Sequence, residues 1–151
     1  MSAFRLVRII ENHSERLASN LLFKVRNSTR TREYTKVPEE ELRARVYEVY
    51  RHLGEWLSGK TEMELEERYN RIGFFRAEQG VPAAELMWAI VYTKETLWEF
   101  LVEQAVPERP FEVFGELELL RMLDQFFDHA LCYAAEGHER SRRELHPLYI
   151  N

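Results

Sequence analysis

Cysteine is nearly absent from this 151-residue chain. Cys132 stands alone, which excludes an internal disulfide and a cysteine-built zinc cluster and points to a reducing compartment. Turn formers are scarce too: six glycines and five prolines favour a few long elements. No apolar run approaches the ~18 residues of a membrane span. The longest, Leu86 to Tyr92, is of core-helix length. The first ten residues carry Arg5 and Arg8 among apolar neighbours, and Glu11, Asn12 and His13 follow at once. That is too short and too polar for a signal-peptide core. A cytoplasmic protein with no membrane partner is expected. Charge of one sign is also missing. Against 26 acidic residues stand 21 basic ones, a net charge of −5, so no nucleic-acid partner is expected. Glycine-rich phosphate loops, paired catalytic carboxylates and nucleophile–base motifs are absent as recognisable patterns, so the chain does not read as an enzyme.

What is present suits one soluble domain. Hydrophobic residues make up 45% and charged residues 31% of the chain. A domain of this length buries roughly 68–70% of its unfolded surface and needs no staple to fold. The periodicity is helical throughout, with no strand alternation and no repeat, and predicts five helices. The first spans about Ala3 to Arg26, with Leu6, Ile10, His13, Leu17 and Leu21 on one stripe. Asn27 to Val37 lacks periodicity and is expected to be a loop. Pro38 and the acidic run Glu39 to Glu41 open a second helix, to about Leu57. Thr61 and Glu64 form a capping-box pattern ahead of a third, to about Gln79, with Leu65, Tyr69, Ile72 and Phe75 inward. Gly80 is expected to end it with a positive φ.

Pro82 opens a fourth helix, to about Ala105, with Leu86, Ile90, Lys94, Leu97 and Leu101 on its stripe and Leu97 and Trp98 at the packed centre. Pro107 and Pro110 bracket the next turn. A long fifth helix follows from about Phe111, with a stripe including Val113, Leu117, Leu120 and Phe127. The polar stretch Glu136 to Glu144 is expected to be a solvated helix extension or tail. The organisation is therefore a helical domain over residues 1–135 and a polar extension over 136–151.

Few residues carry chemistry. His13 interrupts an apolar stripe, either as a ligand contact in a central pocket or as a hydrogen-bonded core histidine. His129 and Cys132, three apart, could form half a metal site, but two further ligands would be needed, so no metal is expected. His52, His138 and His146 are expected in solvent. Lys94, on an apolar stripe, could anchor a ligand, snorkel, or pair with Asp124, which interrupts the stripe of the fifth helix. His13, Lys94, Asp124 and His129 are thus the candidate pocket residues. Lys24 to Lys36 holds five cations against Glu33 alone. It could hold a phosphate or touch an acidic partner, or be an ordinary solvated loop.

Arg71-Ile72-Gly73, Arg76 to Pro82, Ala83 to Leu86 and Leu97 to Leu101 read together as R-x-G-x-x-R-A-x-x-G-V-P and its continuation. Here the chain resembles the N-terminal domain of RsbRD-type proteins, co-antagonist relatives in bacterial stress signalling. The resemblance is sharpest over about Trp56 to Leu101. It implies an all-helical, globin-like or bundle-like sensory module. Such modules are commonly homodimeric, pass a signal through the last helix to a signalling partner or downstream output domain, and are related to globin folds without haem. Similar domains precede histidine kinase and other output modules, and none is present in this sequence. No cofactor is expected. In the alternative, a haem- or other small-ligand-binding sensor, His13 and His129 are the inner candidates, because Pro82 to Ala105 contains no histidine.

Three further expectations complete the reading. Gly73, inside a helix, marks a close helix crossing. Arg76 bonds the last carbonyls of the third helix. The flanks of the terminal helices (Ile9, Leu22 and Val25; Leu119, Met122, Phe126 and Tyr133) form a homodimer interface.

Overall fold

In the computed structural model, residues 2–104 and 112–145 are described, without the side chains of residues 2–4, 112–116 and 145. The expected turn at Pro107 and Pro110, the ends of the flanking helices at Ala105 and Phe111, and His146 lie outside them. The described residues form six α-helices: α1 (Ser2–Asn12), α2 (Ser14–Asn27), α3 (Glu39–Arg51), α4 (Glu62–Glu78), α5 (Ala83–Gln104) and α6 (Glu112–Leu145). A 3-10 segment, Thr29–Lys36, joins α2 to α3, and a π-helical turn, Glu55–Gly59, precedes α4. Among the described residues the fold is all-α, with eight helical segments rather than five. No described helix is long and apolar enough to cross a membrane.

Each added segment has a local cause. The expected first helix breaks at His13 (φ −111°, ψ 20°), whose Nδ1 lies 2.7 Å from the Ile9 carbonyl oxygen. The break shifts the helical phase, so Ser14 turns inward and His13 outward. Asn27 to Val37 is largely helical rather than a loop. It closes on Thr31, whose hydroxyl donates to the Val25 carbonyl at 2.7 Å, and on the buried Tyr34. The expected second helix turns at His52 and ends in the π segment, which buries Trp56.

Elsewhere the local signals hold. Thr61 and Glu64 make the reciprocal capping box, and Gly80 ends α4 with a φ of +83°. In α5, Leu86, Ile90, Leu97 and Leu101 are buried, whereas Trp98 is only half-buried, because Thr96 and Phe100 occupy the inward positions beside Leu97. In α4, Gly73 and Arg76 face inward and Phe75 faces out.

The long α6 packs chiefly on α4 and also on α5 and α1, while α2 lies between α3 and α5. Its buried face runs Leu119, Leu123, Phe126/Phe127, Ala130, Ala134, Gly137/His138 and Ser141. Of the expected stripe, Phe127 and Ala134 lie on this face, Leu120 and Leu131 are half-buried, and Leu117 is exposed. The face continues into the polar stretch, which is therefore not wholly solvated: His138 is buried and its Nε2 lies 2.7 Å from the Val81 carbonyl oxygen. Small residues make this contact. A β-carbon on Gly137 would run into the backbone of Asn70, as one on Gly73 would into Ala134. Four residues assigned to a dimer interface, Leu22, Val25, Leu119 and Phe126, are instead buried within one chain.

Candidate functional site

An apolar pocket lies at the centre of the domain, a cavity of about 60 Å³. Leu21 and Val25 of α2, Val46 and Val49 of α3, Ile72 of α4, Leu86 and Ile90 of α5 and Phe127 of α6 wall it. Each lies on the inward stripe of its helix, so helical periodicity alone brings them together. Tyr34 and Tyr69 close two of its sides. Burial pushes both hydroxyls up to about 12, with Arg76 working against the shift at Tyr34 and Arg68 at Tyr69.

Arginines line the same space from α3 and α4: Arg45, Arg68 and Arg76. Arg76 is buried and donates to Glu41 at 3.0 Å and to the Gln79 side-chain oxygen at 2.9 Å. It does not reach the last carbonyls of α4 as expected, because Glu41, a charged acceptor, stands opposite on α3. Arg68 pairs with Glu48 and lies over the Trp56 ring at 5.0 Å. Its Nε is buried with no partner. Arg45 makes no ion pair among the described residues. Its pKa is lowered by burial first and then by the neighbouring guanidinium groups of Arg68 and Arg76, while Glu41 and Glu48 oppose the shift. Two ion pairs thus bridge α3 and α4, and a third arginine stands beside them.

The sequence carries this signal. Arg68 lies three residues after Leu65 and four before Ile72, and Arg45 three after Leu42 and four before Val49. A cation on an apolar stripe is the pattern that marks Lys94, and here it marks residues at the cavity.

The candidate pocket residues do not converge there. Lys94 and Asp124 make the expected pair, Nζ to Oδ1 3.2 Å, at the partly exposed edge of α5 and α6. Thr93, one residue back, lines the cavity instead. His13 is exposed at the α1–α2 break, its ring 5.2 Å from that of Phe100, so it is neither a core histidine nor a contact in the central cavity. His129 sits on the outer side of α6, where Glu62 Oε1 lies 2.5 Å from its Nδ1 and accepts from the Tyr133 hydroxyl at 2.6 Å. The Tyr133 hydrogen bond is the largest cause holding the Glu62 carboxyl below its usual range, and the same bond pushes Tyr133 up to about 12. Cys132 is exposed, and no group of three metal-ligating side chains gathers among the described residues. The central cavity does not fit haem: it is far smaller than a porphyrin, and no histidine, cysteine or methionine lines it.

The basic stretch is mostly engaged within the chain. Lys24 pairs with Glu99, Lys36 with Glu33, Arg26 donates to the Tyr34 and Val37 carbonyls, and Arg30 lies over the Trp88 ring at 4.2 Å. Nothing in it converges into a phosphate cradle.

Neither a curated protein nor a solved structure matches the chain. A family model does, over residues 15–147, from the start of α2 to beyond the end of the described α6. The match spans the cavity, the arginines and the α4–α6 crossing, and the chain belongs to the family of the RsbT co-antagonist protein rsbRD N-terminal domain.

Proposed function

We propose that this chain is a non-catalytic input domain of bacterial stress signalling. It acts in the cytoplasm as a homodimer and passes its signal through α6 to a partner protein or an output domain. The observation that carries this reading is family membership over nearly the whole chain, since the family is one of signalling domains. The build of α6 supports the relay: Phe127 at the cavity wall and the α4 crossing at Gly137 lie on one continuous helix, so a displacement at the cavity is carried along its length. The globin-like packing implied by the resemblance belongs to the same proposal, and the cavity enclosed by α2 to α6 supports it.

The dimer needs a surface other than the buried flanks. Phe23 of α2 and Val102 of α5 are 71% and 72% exposed, and Leu117 of α6 is 55% exposed. Phe23 and Val102 stand on the neighbouring helices α2 and α5, and a shared apolar patch there is the surface this reading assigns to the interface. Light scattering at micromolar concentration should report about twice the 18.1 kDa chain mass, and Phe23→Glu with Val102→Glu should halve it. A monomer mass for the unmodified chain would end the dimeric reading.

A further inference from the structure

We propose that the cleft between α3 and α4 binds a small monocarboxylate with a short apolar tail, its carboxylate between Arg45 and Arg68 and its tail in the central cavity. This deepens the input-domain reading and rests on it for its biological sense.

Charge is the first reason. The charged groups acting on Arg45 are Arg68, Arg76, Glu41 and Glu48. Glu48 and Glu41 are taken by Arg68 and Arg76, so Arg45 stands beside the apolar cavity with no paired carboxylate among the described residues. A monoanion balances it, whereas a phosphate dianion would overshoot. The second reason is an unmet hydrogen bond. Arg68 Nε is buried with no acceptor, and a buried donor left unpaired is a standing cost that an incoming oxygen would remove. Arg68 already spends Nη1 on Glu48 and Nη2 on the Arg45 carbonyl at 3.4 Å, so its Nε takes one ligand oxygen and the unpaired guanidinium of Arg45 takes the other.

Shape is the third reason. The walls beyond the arginines are aliphatic and aromatic, and water confined there would find few partners. The cavity, about 60 Å³, is well under the ~150 Å³ that accommodates benzene, which sets the tail at about three carbons. Butyrate is the natural probe.

Isothermal titration of the full chain with sodium butyrate at low ionic strength should show saturable one-to-one binding. Acetate and the uncharged butyramide should each bind at least tenfold more weakly. Arg45→Gln breaks no ion pair. It should leave the melting temperature unchanged and weaken butyrate at least tenfold, with Arg45→Lys in between. Ala89→Val narrows the cavity and should weaken butyrate more than acetate. Absence of butyrate binding overturns the proposal, as does butyramide binding equally well or Arg45→Gln binding normally in a folded protein. Light scattering on the same samples separates the two readings. A dimer that ignores butyrate loses only the ligand, and a monomer that binds butyrate loses only the dimer.

Discussion

Gly73 of α4 lies directly against the backbone of Ala134 in α6: a β-carbon on Gly73 would run into the Ala134 carbonyl oxygen and stand 2.9 Å from the His138 nitrogen. The atoms in the way are backbone, which no rotamer change can move. Gly73→Ala gains roughly 1 kcal/mol of helix propensity and must force the helices apart, an overpacking cost of typically 1–3 kcal/mol and occasionally more. We expect a net loss of stability for Gly73→Ala and for Gly137→Ala, measured by urea unfolding. Either variant at or above the parent stability would show that the crossing has room.

Arg76 is 3% exposed and paired with a Glu41 side chain that is 33% exposed. Removing one partner of a fully buried pair costs about 3–5 kcal/mol. With Glu41 partly solvated, Arg76→Met should cost about 1–3 kcal/mol. A double-mutant cycle with Glu41→Gln should return a coupling of about 1 kcal/mol or more. No coupling would mean that Arg76 acts by packing alone.

Lys94 and Asp124 present the opposite case. Their side chains are 32% and 51% exposed. Asp124→Asn should change stability by less than about 1 kcal/mol, and the change should fade in added salt. A larger effect would give Lys94 a structural weight that its position does not suggest.

Tyr34 and Tyr69 are held neutral to about 12 by burial. In the unfolded chain each ionises near pH 10. The stability tied to their neutral forms is therefore complete below pH 10 and is lost as pH rises toward 12, by up to about 2–3 kcal/mol per tyrosine. Denaturant unfolding at pH 8, 10 and 11.5 should fall steeply in that window, and Tyr34→Phe or Tyr69→Phe should flatten the fall. A parent curve that is flat across the window would show that both hydroxyls reach solvent.

Leu97 is 1% exposed. Leu97→Ala should cost about 2–5 kcal/mol through lost transfer energy and a cavity. An unchanged melting curve would place the wrong face of α5 inward.

How much of this was legible in the sequence depended on where each signal lay. Local signals could be read: the Thr61–Glu64 box, the positive φ of Gly80 and the close crossing at Gly73 are each set within a few residues or by one missing side chain. Phase could not be carried across an unseen break. Without the interruption at His13, the stripe of the first helix extrapolates to a buried histidine, whereas one residue out of phase buries Ser14. The segment Thr29 to Lys36 kinks at Thr31, whose side-chain bond to the Val25 carbonyl has no periodic trace in the sequence. His138 is polar in sequence and buried in space because Gly137, beside it, lets α6 approach α4. At the cavity, Arg45 and Arg68 carried the same mark as Lys94, but their convergence is a tertiary fact.

The crossing at Gly137 also sets a mechanical ratio. Helix α6 has 34 residues, about 51 Å at 1.5 Å per residue. Its backbone meets α4 most closely around Ala134 and Gly137, which makes this crossing the natural pivot for any tilt of the helix. Phe127 lies about 15 Å to one side and the C-terminal end about 12 Å to the other. A sideways push of about 1 Å on Phe127 tilts the helix by about 4° and swings Leu145 by about 0.8 Å in the opposite direction, while Glu112, about 38 Å from the pivot, swings by about 2.5 Å. The seesaw is near balance toward the C-terminus and geared up toward the N-terminal end of the helix. A partner reading small displacements would gain most leverage at the N-terminal end.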